Sequence, residues 1–293
     1  MKVFVTGVGG QLGYDVMDEL AKRGHECIGS DILDKEKIKQ LYEYRQLDIT
    51  NEYAIRKVIG EVCPDAVIHC SAYTAVDKAE AEPELCHLVN AVGTENIAKV
   101  CGEIDAKMVY ISTDYVYDGT KDGFYEVGDT LNPINVYGKT KLAGERAVQE
   151  ILEKYFIVRI SWVFGINGNN FVKTMLRLGK ERSELNVVAD QIGSPTYTAD
   201  LAPLLVDLIQ TDKYGVYHAT NEGECSWAEF AEEIFKVAGM DVKVNHITAA
   251  EYPTKAKRPM NSRMSKRCLI DYNFNILPSW RSALDRYLKN LMR

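Results

Sequence analysis

No apolar run in this chain of 293 residues approaches the roughly 18 that a membrane-spanning helix needs. The first residues pass straight into a short apolar strand, without the charged and then apolar stretch of a secretory leader. The expectation is a soluble, cytoplasmic protein with no membrane partner. Disulfide or zinc frameworks are missing too: the seven cysteines form an odd set with no Cys-x-x-Cys pair, and most lie inside apolar runs, which argues for reduced, buried thiols. Positive charge is not in excess. At −7 the chain is a poor counterpart for nucleic acid, which leaves small molecules as its expected partners. No internal repeat or low-complexity linker divides the sequence, and 46% hydrophobic residues suffice for one large α/β unit or a main domain with a smaller one.

What is there centres on Tyr137-Gly-Lys-Thr-Lys141. Residues four apart share a helix face, so Tyr137 and Lys141 are expected to point together. A phenol titrates near pH 10 and is a weak acid-base group at neutral pH. A cation at roughly 5 Å, in an effective dielectric of about 20, favours the phenolate by roughly 3 kcal/mol, or about two pKa units. Packing plus a solvated charge is the plain alternative for such a pair, and the residues upstream weigh against it. Met108 to Ile111 reads as a buried strand that ends in Ser112, Thr113 and Asp114, where open α/β sheets place ligand-contacting groups. A hydroxyl there, Thr113 in particular, is placed to hold a carbonyl beside Tyr137.

The N-terminal half alternates strands and helices. Lys2 to Thr6 runs into Gly7-Val-Gly-Gly10-Gln11-Leu12-Gly13 and a helical pattern follows. That order makes a dinucleotide fingerprint, with Gly7, Gly10 and Gly13 admitting a pyrophosphate to the backbone and the helix N-terminus stabilising its charge. A second strand ends at Asp31, which is suited to accept the adenosine ribose hydroxyls. A third, through Arg45 to Leu47, ends in Asp48 and Ile49, placed to flank the adenine, and Thr50 or Asn51 caps the next helix. Ala66 to Cys70 is unbroken apolar strand, followed by Ser71, Ala72, Tyr73 and Thr74, where small side chains let a nicotinamide approach the backbone. His69 reads as a packed strand residue and Asn90, in the helical stretch Pro83 to Asp105, as bonding to the central sheet. The alternation specifies a doubly wound, Rossmann-type parallel sheet.

The second half is less regular. Tyr155 to Ile160 is a strand with Trp162 beyond its end. Asn169-Asn170-Phe171 opens a helix, Asp190 to Thr196 is a polar turn, and Leu201 to Ile209 and Val216 to His218 return to the main sheet. From Ser226 a capped helix, a short strand and a basic loop suggest a smaller lobe. The expected division is a dinucleotide-binding domain of residues 1–160 plus about 184–222, and a C-terminal α/β substrate lobe of about 161–183 plus 223–293. Lys255, Lys257, Arg258, Arg263, Lys266 and Arg267 gather without an intervening acid. They are either solvated or a phosphate clamp in which Arg258 and Arg263 use paired donors.

With the glycine turn, Ser112-Thr113-Asp114 and Tyr137/Lys141 in one sequence, the chain resembles the extended short-chain dehydrogenase/reductase superfamily. Thr74-Ala-Val-Asp-Lys-Ala-Glu80, Asn135 to Glu145, Arg159-Ile-Ser-Trp-Val163, Asp190 to Thr196 and Arg258-Pro-Met-Asn-Ser-Arg263 make it similar, more closely, to the dTDP-4-dehydrorhamnose reductases. This resemblance implies cofactor contacts from Gln11, Leu12, Asp31, Asp48, Ile49, Ala72, Tyr73, Thr74, Tyr110, Tyr137 and Lys141. It implies contacts to a nucleotide-sugar substrate from Thr113, Asp114 and Trp162, joined by Asn170, Arg258 and Arg263. The implied reaction reduces dTDP-4-dehydro-L-rhamnose to dTDP-L-rhamnose with NADPH or NADH, with hydride passing to C4 and a proton from Tyr137. Asp31 pulls towards NADH, because a carboxylate repels a 2′-phosphate.

Some members of the family dimerise through a magnesium site built from acids. Here Asp15 matches one position, but Ala199 stands at another with Asp200 beside it, and Leu291-Met-Arg293 has no carboxylate side chain. No metal, and a monomer or weak homodimer, are therefore expected. A nucleotide-sugar epimerase or dehydratase is the rival enzyme reading, although Tyr115 after Thr113-Asp114 leaves out the Asp-Glu pair of a dehydratase. A non-catalytic regulatory subunit of the methionine adenosyltransferase type is the third, and the intact Tyr/Lys pair argues against it.

Overall fold

The computed structural model describes residues 1–40 and 42–291. Met292 and Arg293, part of the argument about the missing acid, lie outside the described residues. Strands β1 (Lys2–Thr6), β2 (Glu26–Asp31), β3 (Glu43–Gln46), β4 (Ala66–His69), β5 (Lys107–Thr113) and β6 (Tyr155–Ile160) form a parallel sheet. Later in the chain come β7 (Glu184–Val188), β8 (Gly215–His218) and β9 (Lys243–Ile247). Strand β8 joins the sheet, giving the order β8-β6-β5-β4-β1-β2-β3, with every pairing parallel. The order reverses between β1 and β4, so a crevice opens at their carboxyl ends.

Apolar side chains on both faces explain why the inner strands β1, β4, β5 and β6 lack polar alternation. Val3 and Val5 pack with the helices Gln11–Lys22 and Thr198–Ile209. Phe4, one residue out of phase, turns to the opposite face and the helices Glu52–Val62 and Gly93–Glu103. Side-chain caps start the helices where polar residues precede apolar ones. Asn51 accepts from Ala54 N–H at 3.0 Å, and Asn135 accepts from Gly138 N–H at 2.7 Å to open the helix Val136–Ile151. The stretch read as one helix from Pro83 is interrupted by a π-helical turn, Leu88–Val92, around Asn90.

A second core gathers Phe164, Phe230, Trp280 and Tyr287 among the helices Phe171–Glu181, Trp227–Ala238 and Trp280–Leu291. The boundary expected from sequence needs correction here. Strand β7 pairs with β9 through five parallel positions and not with the main sheet, because Leu185 and Val187 bury their side chains in this second core. Residues 184–188 therefore belong with the smaller lobe. All seven cysteines are unpaired. Among the described residues, no helix is long and apolar enough to cross a membrane.

Candidate active site

A cleft of about 790 Å³ follows the carboxyl ends of β1, β2, β4, β5 and β6. At its floor Gly7 takes φ +73°, and a Cβ there would lie 2.7 Å from Ser71 N. Only glycine lets the turn after β1 lie against the loop after β4. The helix that follows begins at Gly10 with no side-chain cap and no acid in its first turn. Asp31 accepts Gly9 N–H at 2.9 Å and Leu33 N–H at 3.2 Å, fixing its carboxylate on the cleft wall. Gln11 also lines the cleft, yet its carbonyl is engaged by Gly165 N–H at 2.8 Å and the Asn170 amide at 2.9 Å. Leu12, Asp48, Ile49 and the loop Ser71 to Thr74 complete the wall predicted from sequence.

At the other end, Thr113, Asp114, Tyr137 and Lys141 line the same cleft. A Cβ at Gly138 would run into the Tyr115 carbonyl, so the glycine inside Tyr-Gly-Lys-Thr-Lys lets this helix lie close against the end of β5. Asn90 ties the two walls together: it accepts Tyr73 N–H at 2.8 Å and donates to Tyr73 O and to the Thr140 hydroxyl, each at 3.1 Å. The Asn90 amide thus bonds the loop after β4 and the Tyr137 helix, and not the central sheet as expected from sequence. His69 is buried as expected, 2.7 Å from the Thr6 hydroxyl, and burial lowers its pKa to about 3 so that the ring stays neutral.

Four of the residues singled out from sequence do not reach the cleft lining. Tyr110 is fully buried beneath Lys141, whose ammonium lies 4.1 Å from the ring centroid. It faces the helix because alternate residues of β5 point to opposite sides of the sheet. Asn170 is a helix cap that accepts Lys173 N–H at 3.0 Å and braces Gln11. Arg258 grips Asp77 with contacts of 2.6 and 3.2 Å. Arg263 bonds Asn261 at 2.8 Å and lies 3.6 Å from Glu224. The basic loop is thus neither bare nor a ready phosphate clamp, since Asp77, Glu222 and Glu224 come from distant parts of the chain to meet Arg258, Lys266 and Arg263.

The electrostatics also differ from the simple expectation. Burial, then the Asp114 carboxylate, push the Tyr137 phenol above its ordinary value, and the neighbouring Thr113 hydroxyl offsets only part of this. Lys141 does not lower it. Its own pKa falls to about 7 because burial opposes the ammonium, with the Glu145 carboxylate acting in the other direction. Burial likewise raises Asp114 to about 6 against the hydroxyls of Ser262 and Thr113, which both donate to it. Behind the cleft, Glu145 and Arg159 form a fully buried ion pair at 2.7 Å, and the Ser112 hydroxyl donates to Glu145.

The RmlD substrate binding domain family matches residues 1–293. The chain belongs to this family. A dTDP-4-dehydrorhamnose reductase of Aggregatibacter actinomycetemcomitans is 42% identical, covering 97% of each chain. Among solved structures, a dTDP-4-dehydrorhamnose reductase of Clostridium acetobutylicum superimposes with a TM-score of 0.94 at 42% identity, covering 100% of both chains. A Bacillus anthracis dTDP-4-dehydrorhamnose reductase, solved in complex with NADP, gives 0.89 at 44% identity, covering 99% of this chain and 100% of that one.

Two residues of the site, one in the cleft wall and one behind it, escaped sequence reasoning. Trp227 lines the wall at the start of its helix and stacks on Trp162, with ring centroids 3.6 Å apart. Its only local signal is the capping box of Ser226 and Glu229 that precedes an apolar run. Ser262 reaches Asp114 from a loop 148 residues away, for which no local pattern exists.

Proposed function

We propose that the protein is an NAD(P)H-dependent dTDP-4-dehydrorhamnose reductase, converting dTDP-4-dehydro-L-rhamnose to dTDP-L-rhamnose. One observation carries the reading: a glycine turn with an uncapped helix N-terminus and the Thr113, Tyr137 and Lys141 side chains share one cleft, in a chain similar over its whole length to reductases of that name.

The first end suits a dinucleotide. Free N–H groups at a helix N-terminus bind a pyrophosphate, and the bare backbone of Gly7 and Gly10 allows its approach. Asp31, Asp48 and Ile49 hold the adenosine portion, and Ser71 to Thr74 the nicotinamide side. When bound, the reduced nicotinamide supplies the hydride for C4.

The chain's own residues then handle the proton and the carbonyl oxygen. Tyr137, kept protonated by burial and by Asp114, suits a donor to the oxygen of C4 as it gains charge. Thr113, whose hydroxyl donates to Asp114 in the free protein, turns that hydroxyl to orient the oxygen. Lys141, which lines the same cleft, bonds the nicotinamide ribose. Asp114 and Trp162 contact the sugar.

Asp200 is engaged by Arg286 and by the Asn221 amide, and Asp15 by the Thr198 hydroxyl. Those partners support the reading without a bridging metal, and light scattering with and without magnesium tests the accompanying proposal of a cytoplasmic monomer or weak homodimer. The central experiment mixes purified protein, dTDP-4-dehydro-L-rhamnose and NADPH or NADH. Stoichiometric loss of reduced-cofactor absorbance is expected. Sugar conversion without cofactor consumption would point to an epimerase.

A further inference from the structure

The segment Asp190 to Thr196 and Trp227 have no part in the mechanism above, yet both close on Trp162. That residue takes φ +49°, a left-handed conformation that a bulky side chain adopts only where its surroundings over-determine it. Three hydrogen bonds do so here. Thr196 N–H donates to Trp162 O at 3.1 Å, the Thr196 hydroxyl to Ser161 O at 2.6 Å, and the Ser161 hydroxyl to Ser194 O at 2.7 Å.

The indole is held as closely as the backbone. Trp227 covers it with an interplanar angle of 12°. Gly193 approaches so near that a Cβ there would lie 2.8 Å from Trp162 Cε2. These two neighbours form one unit, since Gly193 pairs with Cys225 and Ile192 with Ser226, the residue that caps the Trp227 helix. Thr113 lies opposite Ile160 in the β5–β6 register, so Trp162 stands just beyond the strand end beside Thr113.

We propose that Trp227 and Gly193 are positioning residues, forming a slot that fixes the Trp162 indole as a wall of the sugar end and so sets the fit of a 6-deoxyhexose. The methyl group and C–H face of such a sugar suit a rigid aromatic surface. The ligand named here rests on the functional reading above, and the slot rests on geometry alone.

The test compares Trp227→Ala, Trp227→Phe and Gly193→Ala with wild type. Three quantities are measured: the exciton couplet of stacked indoles in circular dichroism, the Kd for NADPH, and kcat and KM for the sugar nucleotide. Trp227→Ala should lose the couplet, keep NADPH binding, and raise the sugar KM about tenfold with a smaller change in kcat. Trp227→Phe should restore most of the KM, because it keeps an aromatic face. Gly193→Ala should raise the KM by displacing the ring from the other side. If Trp227→Ala also loses NADPH binding, Gly193→Ala decides. An unchanged sugar KM in a folded Gly193→Ala or Trp227→Ala protein overturns the proposal. A wild-type protein that shows the couplet and reduces no sugar nucleotide overturns the functional reading, and with it the ligand, separately from the slot.

Discussion

The Lys141 ammonium lies 4.1 Å from the centroid of the Tyr110 ring, over a residue with no exposed surface. A cation set on an aromatic face is favourable, but here it has left water to get there. Burial lowers the amine from 10.5 to about 7. Between those two values the unfolded chain holds a proton that the native state gives up, so native stability rises as pH climbs from about 7 to 10.5. At neutral pH the buried amine costs stability. Lys141→Met should therefore raise stability by roughly 2 kcal/mol at pH 7, after allowing for the lost cation–π contact, while abolishing reductase activity. Urea unfolding at pH 7 and pH 10 checks this, and the gain should shrink at the higher pH.

Asp114 offers the converse test. Its carboxyl, 3% exposed, is raised from 3.8 to about 6 by burial. Between those values the native state holds the proton and the unfolded chain does not. The associated stability is present below about pH 4 and lost as pH rises through 6. Asp114→Asn does not titrate, so its stability relative to wild type should improve by roughly 2 kcal/mol between pH 4 and pH 7.5. Comparison with wild type is needed because burial also raises Asp15 to about 6. Parallel pH profiles for the two proteins would contradict the assignment.

How much of this was readable beforehand follows from the range of each interaction. The strand, glycine turn and helix at the N-terminus are set by neighbours in sequence, and β6 runs from Tyr155 to Ile160 as its apolar pattern indicates. Tyr137 and Lys141 are four apart on one helix, and both meet the cleft. Tyr110 misled because the hydrophobic run of β5 does not reveal which face turns to the helix. The pairing of β7 with β9 joins residues about sixty apart, and the partners of Arg258 and Lys266 also lie far from them in sequence. Charge runs look bare in sequence for that reason: the acids that neutralise them arrive by folding.

Tyr137→Phe removes the proposed proton donor with almost no change in shape. Positioned proton transfer accelerates reactions by about 10²- to 10⁴-fold, so kcat should fall by about a thousandfold. The Kd for NADPH, measured by fluorescence quenching, should stay within about twofold, because the ring's packing against Tyr115 remains. A variant that retains full turnover would require another acid in the cleft.

Asp31 is expected to set the cofactor preference through charge and rigidity together. Bonds from Gly9 and Leu33 N–H hold its carboxylate on the wall, so it cannot swing aside for a 2′-phosphate. Asp31→Asn keeps one acceptor for these N–H groups and removes the charge. The ratio of kcat/KM for NADPH over that for NADH should rise about tenfold, the equivalent of about 1.4 kcal/mol. The weakened turn should cost about 1 kcal/mol of stability. Steady-state kinetics with each cofactor measure the first effect and thermal unfolding the second. A loss of stability without a change in the ratio would mean that Asp31 serves the glycine turn alone, with cofactor preference set elsewhere along the adenosine wall.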